Sequence, residues 1–291
     1  MLNYLNTFMS KCAFPEEDRE ILCNAYRNIQ SNPSASGKLL EILNLYEESI
    51  HCDYKRILEL SKQIAAECEL HPYTTDLLVF LCLLPQTERA YESKGFSKEL
   101  FYHTMADLRY KLEECRIVKG ICGSFVASWF PGFFELNRFT LGRLQFEILN
   151  FGFSYERNGV LLTPDTKVLN VHIPRDGTRL DRDRCLESFS MAKEFFKDQY
   201  GFIPAAKCHS WLLFPKNKEL LSEHSNTVQF MELFDIFDWH YTLEKDDLWR
   251  FFDTDEQNPN RLPTDTHLRQ VYVAYLKQGG RTGCGYGVRL L

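Results

Sequence analysis

The chain has 291 residues, 44% of them hydrophobic and 25% charged, ordinary proportions for a folded protein of one large domain or two smaller ones. Its formal net charge of -6 and pI of about 5.8 argue against a nucleic-acid binder, which needs clustered cations to neutralise phosphates. A local basic pocket for a small phosphorylated ligand remains compatible with that balance.

The first residues, "MLNYLNTFMSKCAFPEEDRE", lack the apolar core of a signal peptide. From Met1 to about Gly123 the periodicity is helical. Pro15 suits a first helical turn, with Glu16, Glu17 and Asp18 at its positive end. Ser36–Ile50 and Asp53–Leu70 repeat apolar residues at three and four, as amphipathic helices do. "TTDLLVFLCLLP" (Thr74–Pro85) is the most apolar stretch but too short to span a bilayer, so it predicts a buried core helix. Ser97 predicts an N-cap for the helix that follows. The ten cysteines stand singly with no CxxC pair, which predicts a reduced, cytoplasmic protein without structural zinc, and no segment is apolar for long enough to predict a membrane span.

Around Ile121–Phe139 the texture shifts to aromatic residues, glycine and proline, which places a domain boundary near residue 125. Thr140–Leu149 alternates polar and apolar residues, as a strand does, with Arg143, Gln145 and Glu147 on one face. That row can line a cleft or face water. Asn158-Gly159 signals a hairpin turn. "KVLNVHIP" predicts a strand that Pro174 ends, and a loop with Arg175, Arg179, Arg182 and Arg184 leads into a helix closing at Gly201. Such a strand–loop–helix junction can hold a phosphate on backbone N–H groups and arginines. Asp181 and Asp183 can equally satisfy the helix start without a ligand. His172, near its strand end, and Glu147 are the candidate bases; each can also be a structurally bonded side chain. Ala206–Pro215 predicts a buried strand whose Ser210 and Trp211 are either bonded structurally or aimed at a ligand. "HSNTVQFMELF" predicts a short helix capped by Ser225 or Asn226, "DIFDWHYT" a strand, and "LPTDTHLRQVYVAYLKQGG" a helix. The "GCGYG" tail fails the strand-before-helix context of a dinucleotide fingerprint and predicts a turn-rich terminus.

The ordered set "VHIP" (Val171–Pro174), Gly177, "SFSMAKEFF" (Ser188–Phe196), "HSWLLFP" (His209–Pro215), "SNTVQFMELF" (Ser225–Phe234) and "LPTDTHLRQ" (Leu262–Gln270) resembles a bacterial two-domain acyltransferase family. That family joins a helical N-terminal domain to a GNAT-like C-terminal domain. The resemblance implies an α+β fold, with a helical domain over 1–125 and a mixed α/β GNAT-like domain over 126–291. It implies that "VLNVHIP" is the strand beside which pantetheine lies, that the Arg175–Arg184 loop receives the pyrophosphate, and that "KCHSWLL" is the next, splayed strand. Val171, Ile173, Arg175, Gly177, Arg179 and Ser188 are then the expected contacts of acetyl-CoA or another acyl-CoA. Arg143, Gln145, Ser210, Trp211, Ser225 and Asn226 are expected on the side of a small amine acceptor. GNAT loops usually carry more than one glycine; this one carries Gly177 alone. The resulting expectation is an acyl-CoA-dependent N-acyltransferase, most simply an acetyltransferase, with a non-catalytic binding module on the same scaffold as the alternative.

Overall fold

A computed structural model describes residues 1–157, 159–242 and 248–291. The chain divides into two compact units, Met1–Phe139 and Thr140–Leu291; the texture change at residue 125 falls inside the first.

The first unit is helical: α1 (Leu2–Lys11), α2 (Glu16–Ser31), α3 (Pro33–Glu48), α4 (Tyr54–Glu67), α5 (Pro72–Ser93), α6 (Lys98–Met105), α7 (Asp107–Lys119) and the short α8 (Pro131–Phe134). Their starts follow the capping chemistry of the sequence. The Asn32 and Asp53 side chains accept from the first free N–H groups of α3 and α4, and Ser97 does so for α6. Every residue from Thr74 to Leu84 is buried, so α5 is packed on all sides and forms the axis of this core. Asp18 on α2 accepts from Arg116 Nε on α7 at 2.6 Å, pairing a buried carboxylate with the one kind of partner that makes its burial tolerable.

From β1, which begins two residues before the division, the chain builds a six-stranded sheet in the order β1-β2-β5-β6-β8-β7. Its strands are β1 (Arg138–Leu141), β2 (Leu144–Asn150), β5 (Lys167–His172), β6 (Ala205–Ser210), β7 (Asp235–Tyr241) and β8 (Gly283–Leu290); β3 (Tyr155–Arg157) and β4 (Val160–Leu162) form a separate hairpin. Gly159 of that hairpin turn is in the left-handed region, while Asn158 lies outside the described residues. The long helix α9 (Arg182–Tyr200) covers one sheet face through Phe189 against Phe146 of β2. Short helices α10 (Asn217–Leu220), α11 (Asn226–Met231) and α12 (Leu248–Phe252) precede α13 (His267–Lys277).

Four sequence readings change. Thr140–Leu149 is not one strand: it breaks at Gly142, whose φ of +67° turns β1 back into β2. Arg143, Gln145 and Glu147 face no water, at 8%, 1% and 9% exposure. The "GCGYG" segment is an inner strand, β8, rather than a loose terminus. Its glycines share one strand face because other chain segments press against it. A Cβ at Gly285 would lie 2.1 Å from the Leu213 carbonyl oxygen, and one at Gly283 would meet the Phe214 ring at 2.5 Å. The pressing segment is a 3₁₀ turn at Trp211–Leu213, which ends β6 earlier than the sequence implies.

Candidate active site

β2 and β5 are antiparallel, with Gln145 opposite His172 and Glu147 opposite Asn170. Directly opposed residues point to the same face, so this register gathers Glu147, Asn170 and His172. His172 Nε2 lies 2.8 Å from Glu147 Oε1, and Asn170 Nδ2 donates to the same oxygen at 3.0 Å. The imidazole and the carboxylate expose only 17% and 11% of their side chains. With Glu147 ionised, the Nε2–H tautomer of His172 donates to it, and Asn170 Nδ2 stands 3.1 Å from the same Nε2. The sequence names His172 and Glu147 as separate candidates; the fold makes them one pair. Sequence reasoning misses Asn170, although its spacing of two from His172 places both on one strand face.

Beside this pair the sheet opens. β5 and β6 are parallel and share only Leu169↔Ala206 and Asn170↔Lys207. Beyond them β5 stays with β2 as far as His172, while β6 stays with β8 as far as Ser210↔Gly285. Val171, His172 and Ile173 thus follow one arm of the opening, and His209 and Ser210 the other. His209 stacks on Tyr286 with ring centroids 4.0 Å apart. Lys207, at the vertex, donates to the carbonyls of Asn150 (3.1 Å) and Phe151 (2.8 Å). Burial lowers its ammonium pKa, against the opposing pull of Glu147. Lys207 and His209 enter the sequence reading only inside the "KCHSWLL" run and with no role of their own; strand pairing places them at the opening.

The loop after β5 is held at several points. Arg143, in the β1–β2 turn, donates to the Pro174 carbonyl at 2.9 Å and lies 3.6 Å from Asp176. Asp176 accepts from Thr178 N and Oγ1, both at 2.8 Å, around Gly177 with its φ of +79°. Arg175 forms a two-point pair with Asp253, and Arg179 Nε donates to Asn226 Oδ1 at 3.2 Å. Asp181 accepts from Arg184 N at the start of α9. Ser188 is fully buried; its hydroxyl accepts from Arg143 N at 2.7 Å and donates to the Arg184 carbonyl at 2.9 Å. The fold therefore uses Ser188 and Arg143 to brace the loop from behind. Gln145, at 1% exposure, donates to Thr140 Oγ1 at 3.3 Å.

On the other arm Ser210 accepts from Leu212 N at 3.2 Å and caps the 3₁₀ turn, and Trp211 packs on Phe251 with centroids 4.2 Å apart. Ser225, not Asn226, caps α11. Arg175, Gly177, Arg179 and Asn226 remain together on the loop side, and His172, Glu147 and Asn170 on the sheet face. Among the described residues no group of three or more His, Cys, Asp or Glu is placed to hold a metal ion, and no helix is long and apolar enough to cross a membrane.

The strand opening, the long helix and the loop between them make the GNAT arrangement. Residues 138–289 match the family described as GNAT-like C-terminal domain, and residues 3–136 the family described as N-acyltransferase N-terminal domain. The chain belongs to the GNAT-like N-acyltransferases. The same architecture recurs in solved structures. An acyltransferase in complex with decanoyl-CoA and teicoplanin is 21% identical with a TM-score of 0.76, over 98% of this chain and 87% of that one. An acyltransferase mutant in complex with octanoyl-CoA is 21% identical with a TM-score of 0.78, over 99% and 88%. At that identity the likeness is one of fold. No curated protein matches the acyltransferase in sequence. Its family membership sets aside the alternative of a non-catalytic module, and the junction of the two matched regions falls at the division between its compact units.

Proposed function

We propose that this acyltransferase moves an acyl group from acyl-CoA to an amine at the opening between β5 and β6, with His172 as the base. The hydrogen-bonded pair of His172 and Glu147 at the edge of that opening carries the reading. The amine nitrogen attacks the thioester carbonyl as His172 Nδ1 takes its proton. Glu147 stabilises the imidazolium so formed, and Asn170 keeps the carboxylate oriented. Collapse of the tetrahedral intermediate breaks the C–S bond, leaving the electron pair on sulfur as CoA thiolate and forming the amide.

The loop from Arg175 to Arg184 faces the donor phosphates in this scheme, with Arg175, Gly177 and Arg179 as the contacts. Val171 and Ile173 carry the strand edge along which the pantetheine lies, and Ser210 and Trp211 bound the acceptor side. The sequence alone favours acetyl as the acyl group. The neighbours of this fold that hold octanoyl-CoA and decanoyl-CoA support a longer chain. One neighbour also holds teicoplanin, so an acceptor screen includes that compound beside small primary amines.

Calorimetric titration with free CoA, acetyl-CoA, octanoyl-CoA and decanoyl-CoA tests the donor half. Saturable binding that tightens with chain length is expected. No binding of any of the four at millimolar concentration would refute it.

A further inference from the structure

Three carboxylates stand where an anion would sit on the loop after β5. Asp181 takes the N–H at the start of α9, and Asp176 lies beside Arg143. Both belong to the loop itself. The third, Asp253, comes from the residue after α12 and forms the two-point pair with Arg175.

Asp253 is anchored from behind. Arg269 of α13 donates to its Oδ2 at 2.5 Å, and Arg269 is fixed in turn by Asp265 Oδ1 at 2.8 Å and by the Phe251 carbonyl at 3.0 Å. The Asp253 backbone has a φ of +55°, a region that Asp and Asn enter more readily than other side chains. A carboxylate in a selective backbone conformation is thus held against an arginine of the loop. Arg175 exposes 39% of its side chain and Asp253 19%, so the cation faces solvent and the acid stands behind it.

We propose that Asp253 is a positioning residue that competes with the donor phosphate for Arg175 and thereby sets donor affinity; this rests on the phosphate-loop reading above. Asp253 occupies the Nη1/Nη2 fork of the Arg175 guanidinium, and one bidentate oxyanion fills that fork. Carboxylate and phosphate match that fork in charge and geometry, so they exchange on it. Exchange leaves no buried charge unpaired, because Asp253 keeps Arg269 after Arg175 turns to phosphate.

The test compares wild type with Asp253→Asn in titrations with free CoA and octanoyl-CoA, and in steady-state transfer. Asparagine keeps the shape and tolerates the positive φ while removing the charge. The donor Kd and KM of Asp253→Asn fall several-fold, with kcat moving far less than KM. Arg175→Gln weakens donor binding, and Arg175→Gln/Asp253→Asn binds like Arg175→Gln alone, because the competitor acts only through Arg175. Unchanged or weaker donor binding in Asp253→Asn would overturn the proposal and leave the phosphate loop standing, as would additive effects in the double variant. Failure of both wild type and Asp253→Asn to bind any CoA species would remove the phosphate loop and this proposal together.

Discussion

Glu147→Gln separates a working base pair from a bystander. Glu147 Oε1 lies 2.8 Å from His172 Nε2 and accepts from Asn170 Nδ2 at 3.0 Å. Glutamine keeps an oxygen acceptor there but removes the negative charge that stabilises the imidazolium. A hydrogen bond to a charged group is worth about 1.5–3 kcal/mol against about 0.5–1.5 for a neutral one. The charge therefore contributes about 1–1.5 kcal/mol, close to a tenfold change in rate. His172→Ala removes the base itself and costs about 10²–10⁴-fold. Initial rates of CoA thiol release in the presence of amine measure both. The expected order is wild type, then Glu147→Gln, then His172→Ala, with the donor KM nearly constant. A Glu147→Gln enzyme at the wild-type rate, or one whose loss lies entirely in KM, would refute the pairing argument.

Ser188→Ala strips Arg143 N of its buried acceptor and is expected to destabilise the protein by about 1–3 kcal/mol, read from urea unfolding; an unchanged midpoint would count against the bracing role. Gly285→Ala drives a methyl to 2.1 Å from the Leu213 oxygen and is expected to cost at least about 1–3 kcal/mol. By contrast Gly37→Ala, exposed in α3 with nothing within 4 Å of the new methyl, gains about 0.5–1 kcal/mol; opposite signs in the same denaturation assay check both. Asp235 has its carboxyl pulled up by burial but held below its usual range by hydrogen bonds from Arg157 and Tyr155. Its native pKa is thus below the unfolded one, so the stability it adds is complete above about pH 4 and is lost as acid protonates it through the depressed value. The gap between wild type and Arg157→Gln in urea midpoint should shrink as pH falls, and a gap constant with pH would contradict the assignment.

Local chemistry made much of the fold legible. Ser97 and Ser225 cap helices where the sequence places them, and the apolar run before Pro85 lies in a buried helix as expected, whereas Asn32 starts α3 ahead of the Ser36 start that the sequence suggests. Glycine misleads in two places for one reason: it marks turns and it also marks close approach. Gly142 is a turn inside what reads as a continuous alternating strand. Gly283, Gly285 and Gly287 read as a loose tail because the segments that press on them, Leu213, Phe214 and Phe234, lie far away in sequence. The candidate site shows the same limit. His172 stands out as a lone imidazole at a strand end, but its bond to Glu147 depends on the β2–β5 register. Asp253 carries no signal at all in "RFFDTDEQN". Its partner, Arg175, reads in the sequence as a phosphate ligand, and only the folded chain reveals that it is already engaged.

The most direct measurement is mass spectrometry of reactions containing octanoyl-CoA and a panel of primary amines, run with wild type and His172→Ala side by side. The account predicts an amide product carrying the octanoyl group, formed by wild type and lost or reduced at least about a hundredfold in His172→Ala. Release of CoA without any acylated amine, or equal product from the two proteins, would contradict it.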